Sequence, residues 1–241
     1  MIKLILGGPS YRMEVDARHS ASLVPFAIRC AMPRMVAKKS FGGRMRYVVH
    51  PSPISIVAAH YQHGTPVAVA RNGILKESLE RLEATHIMML DSDCSIPGDQ
   101  VDPIIKCLLA LGDRPMFGVP APQRDRRANV WESRETKMTR LPLDGELHEC
   151  YAVGFGCVVF NLGWYRAHWP KAPWFLDGWD SEFGPMGEDY KHCRELGLHL
   201  DGPPGDRNLA LYAGSYVDHH DRGEGKSLRA EQNHDADRAA L

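Results

Sequence analysis

Two aspartates separated by one serine follow a short apolar segment, and their types and spacing give the sequence its clearest chemical signal. Residues His86–Leu90 directly precede Asp91-Ser92-Asp93. This segment is too short for a helix and predicts a buried central strand, which would carry both carboxylates to the edge where open α/β sheets bind their ligands. Two carboxylates at this spacing can bind one divalent cation, and their hard oxygen atoms suit Mn²⁺ or Mg²⁺. The same residues also suit a turn or a helix cap, so the motif alone leaves both interpretations open.

The segments around this motif alternate between helical and apolar patterns. Up to residue 120 the predicted elements are strands at 2–6, 86–90 and 115–119 and helices at 20–30, 73–83 and 101–111. Such alternation predicts an α/β fold in which helices flank a sheet. Beyond residue 120 the pattern is less regular, and it predicts a strand at 151–160, a helix at 188–196 and a strand at 209–217.

Several short blocks, taken in order, resemble the GT-A glycosyltransferases. In that family an Arg-Asn pair opens the helix before the D-x-D strand, an acidic pair begins a later helix, and a metal-binding histidine follows near the C-terminus. The blocks that carry the resemblance are Ala70-Arg71-Asn72-Gly73, Thr85 to Asp93 with Pro97, Gly154-Phe155-Gly156-Cys157-Val158-Val159-Phe160, Gly187-Glu188-Asp189-Tyr190 with Cys193, and Asp218-His219-His220.

The resemblance implies a GT-A-like nucleotide-binding sheet flanked by helices, with a smaller acceptor-binding part. It implies a donor-binding half over residues 1–120, an acceptor-binding and catalytic half of the same domain over 121–222, and a polar tail over 223–241. It also implies a nucleotide-sugar donor of the UDP class. Mn²⁺ or Mg²⁺ would be held by Asp91, Asp93 and a C-terminal histidine, with both His219 and His220 as candidates.

The implied donor site comprises Tyr11, Arg12, Arg71, Asn72 and Ser92, together with Asp91. At a helix start, Arg71 can combine its guanidinium with the helix dipole to hold a phosphate, although an ordinary salt-bridged arginine is the alternative. Tyr11 follows the first strand, where its ring can stack on a nucleobase with Arg12 nearby. A loop aromatic packed on the core is equally compatible with Tyr11.

Asp189 is the candidate general base, within the acidic pair that it forms with Glu188. Sugar transfer with inversion needs a carboxylate that takes the proton of the acceptor hydroxyl, and a helix N-terminus keeps that carboxylate ionised. Simple capping of the helix by the two acids is the alternative. A retaining enzyme would not need this base, so the stereochemistry stays open.

Four of the five tryptophans lie close together in the second half of the chain, among other aromatic residues. Trp164, Tyr165 and Trp169 are predicted in the core, whereas Trp174 and Trp179 lie among Pro, Gly and Asp and are predicted in an exposed loop that could bind a sugar or a base. An arginine-rich segment over residues 124–140 is predicted to form a mobile loop over the donor or acceptor.

The net charge of −1 hides an uneven distribution. Residues 1–76 contain 11 Lys and Arg against two acids, which leaves 18 basic and 28 acidic residues for the rest of the chain. A basic first third is compatible with a polyanionic acceptor such as DNA, and also with solvated surface. Glycan, small-molecule and protein acceptors remain alternatives, and the oligomeric state is open. No apolar segment is long enough to insert in a membrane or to act as a signal peptide, so we expect a cytoplasmic protein.

Two rival functions share part of this pattern. A nucleotidyltransferase would have the sheet and the acids, but should carry a Gly-rich basic loop after its first strand, which Gly7-Gly8-Pro9-Ser10-Tyr11-Arg12 matches only faintly. A non-catalytic nucleic-acid-binding module would explain the basic first third but not the ordered acidic blocks. The six cysteines form no C-x-x-C pair, and they are expected to be free thiols in a reducing compartment.

Overall fold

A computed structural model describes residues 1–10, 17–39, 45–121, 128–133, 136–180, 184–199, 210–221 and 224–226. Its five α-helices are α1 (Ala17–Ala31), α2 (Val67–Glu80), α3 (Val101–Ala110), α4 (Leu162–His168) and α5 (Glu188–Glu195), with 3₁₀ turns at Gly98–Gln100 and Leu196–His199. The strands are β1 (Ile2–Ser10), β2 (Arg34–Lys39), β3 (Met45–His50), β4 (Ile54–His63), β5 (His86–Leu90), β6 (Cys94–Ser95), β7 (Met116–Gly118), β8 (Val130–Trp131), β9 (Leu147–Cys150), β10 (Ala152–Val153), β11 (Cys157–Asn161), β12 (Gly178–Asp180), β13 (Gly184–Met186), β14 (Ala210–Ala213), β15 (Asp218–Asp221) and β16 (Glu224–Lys226).

Seven of these strands form one mixed sheet in the order β4-β1-β5-β11-β7-β14-β9. Strands β4, β1 and β5 are parallel, while β11 runs antiparallel to both of its neighbours, β5 and β7. The sheet therefore contains strands from both halves of the chain. The small sheets pair β2 with β3, β8 with β10, and β12 with β13, and a three-stranded sheet has the order β16-β15-β6.

The core lies on both faces of this sheet, as the alternation of side chains along β5 shows. Ile87 and Met89 pack into one apolar cluster with α2, α4 and α5. Met88 and Leu90 point to the other face and pack with α1 and α3. Because both faces are covered, residues 87–90 of β5 are all apolar, without the polar alternation of a half-exposed strand.

Two glycines let β1 approach its neighbours closely at the edge where the acidic motif begins. A Cβ atom on Gly8 would lie 2.0 Å from the carbonyl oxygen of Leu90, and one on Gly7 would lie 2.3 Å from that of His60. No side chain fits at either position without moving backbone, because real Cβ atoms do not approach that closely. The Gly7-Gly8 pair is thus required by packing between strands.

The predicted α/β class, a sheet flanked by helices, is confirmed, and most predicted helices and strands are present. The single strand predicted at 151–160 is wrong, because the chain breaks between β10 and β11. At this break the carbonyl of Phe155 accepts a hydrogen bond from Arg71 instead of joining the sheet, and a Cβ on Gly154 would lie 2.2 Å from the amide nitrogen of Asn129.

The aromatic residues of the second half of the chain are buried more extensively than the sequence predicts. Trp164, Tyr165 and Trp169 are buried, which confirms their place in the core. Trp174 is only 3% exposed, so the prediction of an exposed loop residue is wrong. Its indole Nε1 donates to the carbonyl of Trp169 at 2.7 Å, which satisfies the polar atom in the interior.

All six cysteines are buried free thiols. Burial raises the pKa of Cys157 and Cys193 well above the ordinary thiol value, so both stay protonated. Among the residues that the structure describes, no helix combines the length and apolar character needed to cross a bilayer.

Candidate functional site

The acidic motif forms a tight turn at the carboxyl end of β5. The backbone N–H of Asp91 donates to the carbonyl of Gly156 at 2.8 Å, and the N–H of Cys94 donates to the carbonyl of Asp91 at 2.9 Å. Strand β6 then begins at Cys94 and pairs with β15. The pairing places His219 opposite Cys94, which joins the C-terminal histidine pair to the acidic turn.

One half of the site, which we call the buried half, consists of Arg71, Asp91 and Glu188. The Arg71 side chain is 3% exposed, and its Nη2 donates to both carboxylate oxygens of Asp91 at 2.7 and 2.9 Å. Nη1 pairs with Glu188, and Nη2 also donates to the carbonyl of Phe155 at 2.9 Å. The guanidinium thus links α2, the acidic turn and the start of α5.

The buried half carries more negative than positive charge. Burial raises the pKa of Asp91 to about 7, against the opposing effect of Arg71. Burial also raises the pKa of Glu188 and of Asp189, and again Arg71 opposes the shift. One guanidinium therefore does not fully compensate the two carboxyl groups of the buried half and the adjacent Asp189, and the site favours a proton or a further cation.

The other half, which we call the open half, consists of Asp93, Cys94 and His219. The side chains of Asp93 and His219 are 46% and 35% exposed, and His219 Nε2 lies 3.4 Å from Asp93 Oδ2. Burial tends to raise the pKa of Asp93, but the hydrogen bond and charge of His219 outweigh it and lower the pKa overall. One atom from each of these three residues lies within 4.8 Å of the others, which is close enough for a shared metal ion.

The two C-terminal histidines point to different partners. His219 lies beside Asp93, whereas His220 is buried and its Nε2 lies 2.6 Å from Ser95 Oγ. The backbone N–H of His220 donates to the carbonyl of Asp93 at 2.7 Å. The structure therefore brings His219 to the open half, and it ties His220 to the strand that supports the turn.

The first turn of α5 presents two carboxylates with different surroundings. Glu188 is 15% exposed and is engaged by Arg71. Asp189 is partly buried and accepts a hydrogen bond from the backbone N–H of Tyr190 at 2.7 Å. The geometry thus separates the pair, with Glu188 holding the buried half and Asp189 next to it at the helix start.

Asn72 and Ser92, two predicted donor-site residues, lie in different settings. The Asn72 side chain donates to the carbonyl of Phe175 at 2.6 Å and accepts from the N–H of Trp174 at 2.8 Å, so it holds the loop before β12. Ser92 is partly exposed within the acidic turn. The remaining two, Tyr11 and Arg12, lie outside the described residues.

His19 is a site residue that the sequence-based reasoning missed. It is 1% exposed on α1, and its Nδ1 lies 2.9 Å from the carbonyl of Asp91 and 3.1 Å from that of Cys94. Because carbonyl oxygens only accept, Nδ1 carries the proton and donates to both. Nε2 lies 3.4 Å from the hydroxyl of Tyr61. The sequence does place His19 on the same helix face as the apolar residues Phe26 and Cys30, and that position could have predicted its burial.

No known protein-family profile matches the chain, and no curated protein matches its sequence. Among solved structures, A197 from STIV has a TM-score of 0.56 at 15% identity, covering 95% of this chain and 91% of that one. GalNAc-T7, solved with UDP, GalNAc and Mn²⁺, has a TM-score of 0.46 at 11% identity, covering 95% of this chain and 46% of that one. A glycosyltransferase involved in glycosylation of the major capsid of PBCV-1 has a TM-score of 0.36 at 11% identity, covering 71% and 68%. The chain thus shares its α/β fold with A197 from STIV, and glycosyltransferases are among the structures similar to it at low identity.

Proposed function

We propose that the protein is a metal-dependent glycosyltransferase that moves a sugar from a nucleotide-sugar to a hydroxyl acceptor. The observation that carries this proposal is the open half, in which Asp93 and His219 come together beside the acidic turn at the carboxyl end of β5. Arg71 links that turn to the start of α5, where Asp189 lies. A cation site and a candidate base therefore stand on adjoining elements.

The residues of the open half fit a divalent cation of the Mn²⁺ class. A carboxylate and a neutral imidazole are suitable ligands, and both side chains are exposed enough to share the ion with a ligand. Burial, with the nearby carboxylates, raises the pKa of the Cys94 thiol well above its ordinary value, so a soft thiolate is disfavoured there. When bound, the ion would neutralise charge on the diphosphate leaving group.

Asp91 has a different role in this proposal from Asp93. Both of its oxygens accept from Arg71, so Asp91 orients the guanidinium and the turn. Asp93 and His219 supply the ligand atoms for the ion. A UDP-sugar donor rests on the family resemblance of the sequence blocks.

Asp189 takes the proton of the acceptor hydroxyl in the proposed reaction. Its raised pKa makes it a stronger base than an ordinary aspartate, while the N-terminus of α5 and the backbone N–H of Tyr190 favour its ionised form. Glu188, held by Arg71, fixes the start of α5 and thereby the position of Asp189. This assignment corresponds to inversion at the anomeric carbon.

The test is hydrolysis of a panel of nucleotide-sugars with and without Mn²⁺. We expect Mn²⁺-dependent release of the nucleoside diphosphate, with UDP-sugars as the preferred donors. Pyrophosphate release from a nucleoside triphosphate and a sugar phosphate would instead support a nucleotidyltransferase. Absence of any metal-dependent turnover across the panel would contradict the proposal.

Calorimetry tests the metal site separately. Asp93→Asn should weaken Mn²⁺ binding at least about tenfold, since it removes a ligand charge while the turn stays closed by backbone hydrogen bonds. Asp102→Asn is a matched control, because Asp102 lies on α3 and pairs with Arg29 at the surface. Equal Mn²⁺ affinity in the two variants would remove Asp93 from the site.

DNA is the polyanionic acceptor suggested by the basic first third of the chain. Nine Lys and Arg and no acid lie between Asp16 and Glu77. Titration with duplex DNA at several salt concentrations tests this acceptor, because affinity through several phosphates should fall steeply with salt, and absence of binding at low salt would remove DNA.

A further inference from the structure

The fifth tryptophan, Trp131, lies apart from the other four in sequence and belongs to a separate aromatic cluster. Its ring contacts that of Tyr190, with the ring centroids 5.4 Å apart, and the Tyr190 ring contacts that of Tyr151 at 5.8 Å. We call these three residues the aromatic platform. They come from β8, from the residue before β10 and from α5, so three elements of the fold meet there.

Each residue of the aromatic platform packs on the core on one side and reaches solvent on the other. All three are partly buried against an apolar core cluster. A leucine would fill such a position equally well, whereas Trp and Tyr also carry a polar atom to the surface. Within the described part of the chain, the indole N–H of Trp131 and the hydroxyl of Tyr151 make no hydrogen bond, and neither is a buried atom. Both polar atoms are therefore available to a ligand.

Backbone hydrogen bonds on both sides hold Trp131 in place. The N–H of Tyr151 donates to the carbonyl of Trp131 at 2.9 Å, and the N–H of Met138 donates to the carbonyl of Val130 at 2.9 Å. The Lys137 ammonium lies over the indole, 5.3 Å from the ring centroid, and its flexible chain can turn its donors toward oxygen atoms of a ligand. The aromatic platform is thus fixed on paired strands and combines apolar rings with polar donors.

The aromatic platform adjoins the proposed base. Tyr190 follows Asp189 directly in α5, and its backbone N–H donates to the Asp189 carboxylate at 2.7 Å. The same carboxylate accepts a hydrogen bond from the backbone N–H of Phe155, two residues beyond the end of β10. Strand β10 pairs with β8, which carries Trp131. The base and the aromatic rings therefore lie on the same strand pair and the same helix.

We propose that the aromatic platform (Trp131, Tyr151, Tyr190) binds the acceptor, and that this acceptor is a neutral saccharide. The inference rests on the proposed function, because it is the role of Asp189 as a base that requires an acceptor hydroxyl here. The apolar face of a sugar ring packs on aromatic side chains, while its hydroxyl groups meet the polar atoms around them. One of those hydroxyl groups is the nucleophile that Asp189 deprotonates.

The charges around the aromatic platform disfavour a polyanionic acceptor. Residues 131–137 contain two acids and two bases and so carry no net charge. Glu188 and Asp189 lie at the start of α5, and the single guanidinium of Arg71 opposes the effect of their burial without overcoming it. A nucleic acid bound here would bring its phosphates toward these carboxylates. The basic first third of the chain lies on other elements, so a neutral ligand suits this surface best.

The test is binding of the full chain to an array of immobilised oligosaccharides that contain hexoses, N-acetylhexosamines and deoxyhexoses in both anomeric linkages. The array is probed with EDTA and, separately, with Mn²⁺ and UDP, and neither condition permits sugar transfer. We expect binding to a subset of the saccharides. Trp131→Leu, which keeps an apolar side chain but removes the ring, should raise the Kd of a bound saccharide at least about tenfold, and Trp131→Phe should restore part of the affinity.

His168→Leu is the matched control, because His168 is an exposed ring on α4 that packs on Trp164, outside the aromatic platform. This variant should bind saccharides as the unmodified protein does, and thermal unfolding checks that all variants fold. Absence of saccharide binding under both conditions, or unchanged binding by Trp131→Leu, would overturn the proposal.

Kinetics with a saccharide from the array separates binding from mere support of the base. Trp131→Leu should raise the KM for the acceptor with kcat nearly unchanged, because the ring binds the saccharide equally in the ground state and the transition state. A fall in kcat at unchanged KM would show that Trp131 only supports Asp189, and it would overturn the proposal.

Two further outcomes separate this inference from the proposed function and from a DNA acceptor. Mn²⁺-dependent release of the nucleoside diphosphate without any saccharide binding would overturn the saccharide acceptor and leave the proposed reaction standing. Saccharide binding that depends on Trp131, without such release, would support the ligand of the platform and contradict the reaction. If duplex DNA binds at low salt, Trp131→Leu weakens that binding and no saccharide binds, DNA replaces the saccharide as the acceptor.

Discussion

The two halves of the candidate site use the same residue type for opposite purposes. Asp91 is 18% exposed, is held by Arg71 and has a raised pKa. Asp93, two residues away, is 46% exposed, lies beside His219 and has a lowered pKa. Spacing in sequence put both carboxylates at the same strand end, but burial and partners gave each a different chemistry.

This difference separates support from ligand binding. A carboxylate whose two oxygens both accept from a guanidinium is committed to the protein, whereas an exposed carboxylate beside a histidine is available to a ligand. In the proposed function, the D-x-D pattern therefore supplies one supporting residue, Asp91, and one ligand-binding residue, Asp93. The following predictions test that separation, beginning with the largest expected effect.

Replacing Arg71, the positively charged residue of the buried half, should lower the free energy of unfolding more than any other change proposed here. Arg71→Met leaves Asp91 and Glu188 buried without their partner, which we expect to lower the free energy of unfolding by about 3–5 kcal/mol at neutral pH. Arg29→Met is the matched control, because Arg29 pairs with Asp102 on the exposed surface and its loss should leave stability nearly unchanged. Urea unfolding measures both variants, and similar values for the two would show that the buried half does not depend on its ion pairs.

Changing Asp189, the proposed base, should affect turnover but not donor binding. Asp189→Asn keeps the shape of the side chain but cannot accept a proton, so we expect kcat to fall about a hundredfold or more. Glu195→Gln, at the other end of α5, should leave kcat unchanged. Near-normal turnover by Asp189→Asn would indicate a capping role, a retaining mechanism or another base.

The opposite pKa shifts of the two aspartates predict opposite effects of pH on stability. Folded Asp91 binds its proton more tightly than the unfolded chain, so its contribution to stability falls as the pH rises from about 4 to 7, by up to about 4 kcal/mol. The lowered pKa of Asp93 gives a contribution that is present above about pH 4 and is lost in more acid solution.

Urea unfolding across the pH range separates the two contributions. Asp91→Asn should flatten the dependence of stability on pH between 4 and 7. Asp93→Asn should leave most of that dependence in place, because burial is the main cause of the raised pKa of Asp91 and the charge of Asp93 adds less to it. Its main effect should be on the acid limb. If both variants flatten the same region, the two carboxylates titrate as one unit and the two halves are not distinct.

His19 connects the two halves, and a pair of isosteres tests which of its contacts matters. His19→Asn places an amide N–H near the position of Nδ1 and should keep the turn closed. His19→Gln places its amide nearer Nε2, toward Tyr61, and should lose the contacts with Asp91 and Cys94, costing about 1 kcal/mol of stability. Mn²⁺ affinity should fall several-fold in the Gln variant only; equal affinities would show that His19 does not position the turn.

Most of the fold could be predicted from the sequence, because the spacing of apolar residues indicates which side of a helix or strand is buried. The short apolar segment 86–90 predicted β5 with the correct bounds, and the helix predicted at 101–111 agrees with α3 to within one residue. The strand β4 was missed, although Ile54, Ile56 and Val57 are β-branched residues that favour a strand; it pairs in parallel with β1. The strand predicted at 151–160 was too long, because the break at Phe155 depends on Arg71, which lies 84 residues away.

The candidate site could be predicted from the sequence only in outline. Local sequence indicated which residue types could do chemistry, but not which carboxylate would meet an arginine and which a histidine. The partnership of Arg71 with Glu188 spans 117 residues and is set by the packing of α2 near α5. The contacts of His19 could not be predicted for the same reason. A histidine on an apolar helix face is expected to be buried, but the sequence does not show which carbonyl groups it contacts.

The pairing of β15 with β6 has a consequence for how the protein is made. Asp93 has been synthesised long before His219, which lies 126 positions further along the chain. A nascent chain that ends before β15 carries the acidic turn without its histidine, and closing so long a loop is slow compared with forming local helices. The open half is thus completed late in biosynthesis, and if it binds the proposed metal ion, acquisition of metal affinity would report that the chain has reached its native topology.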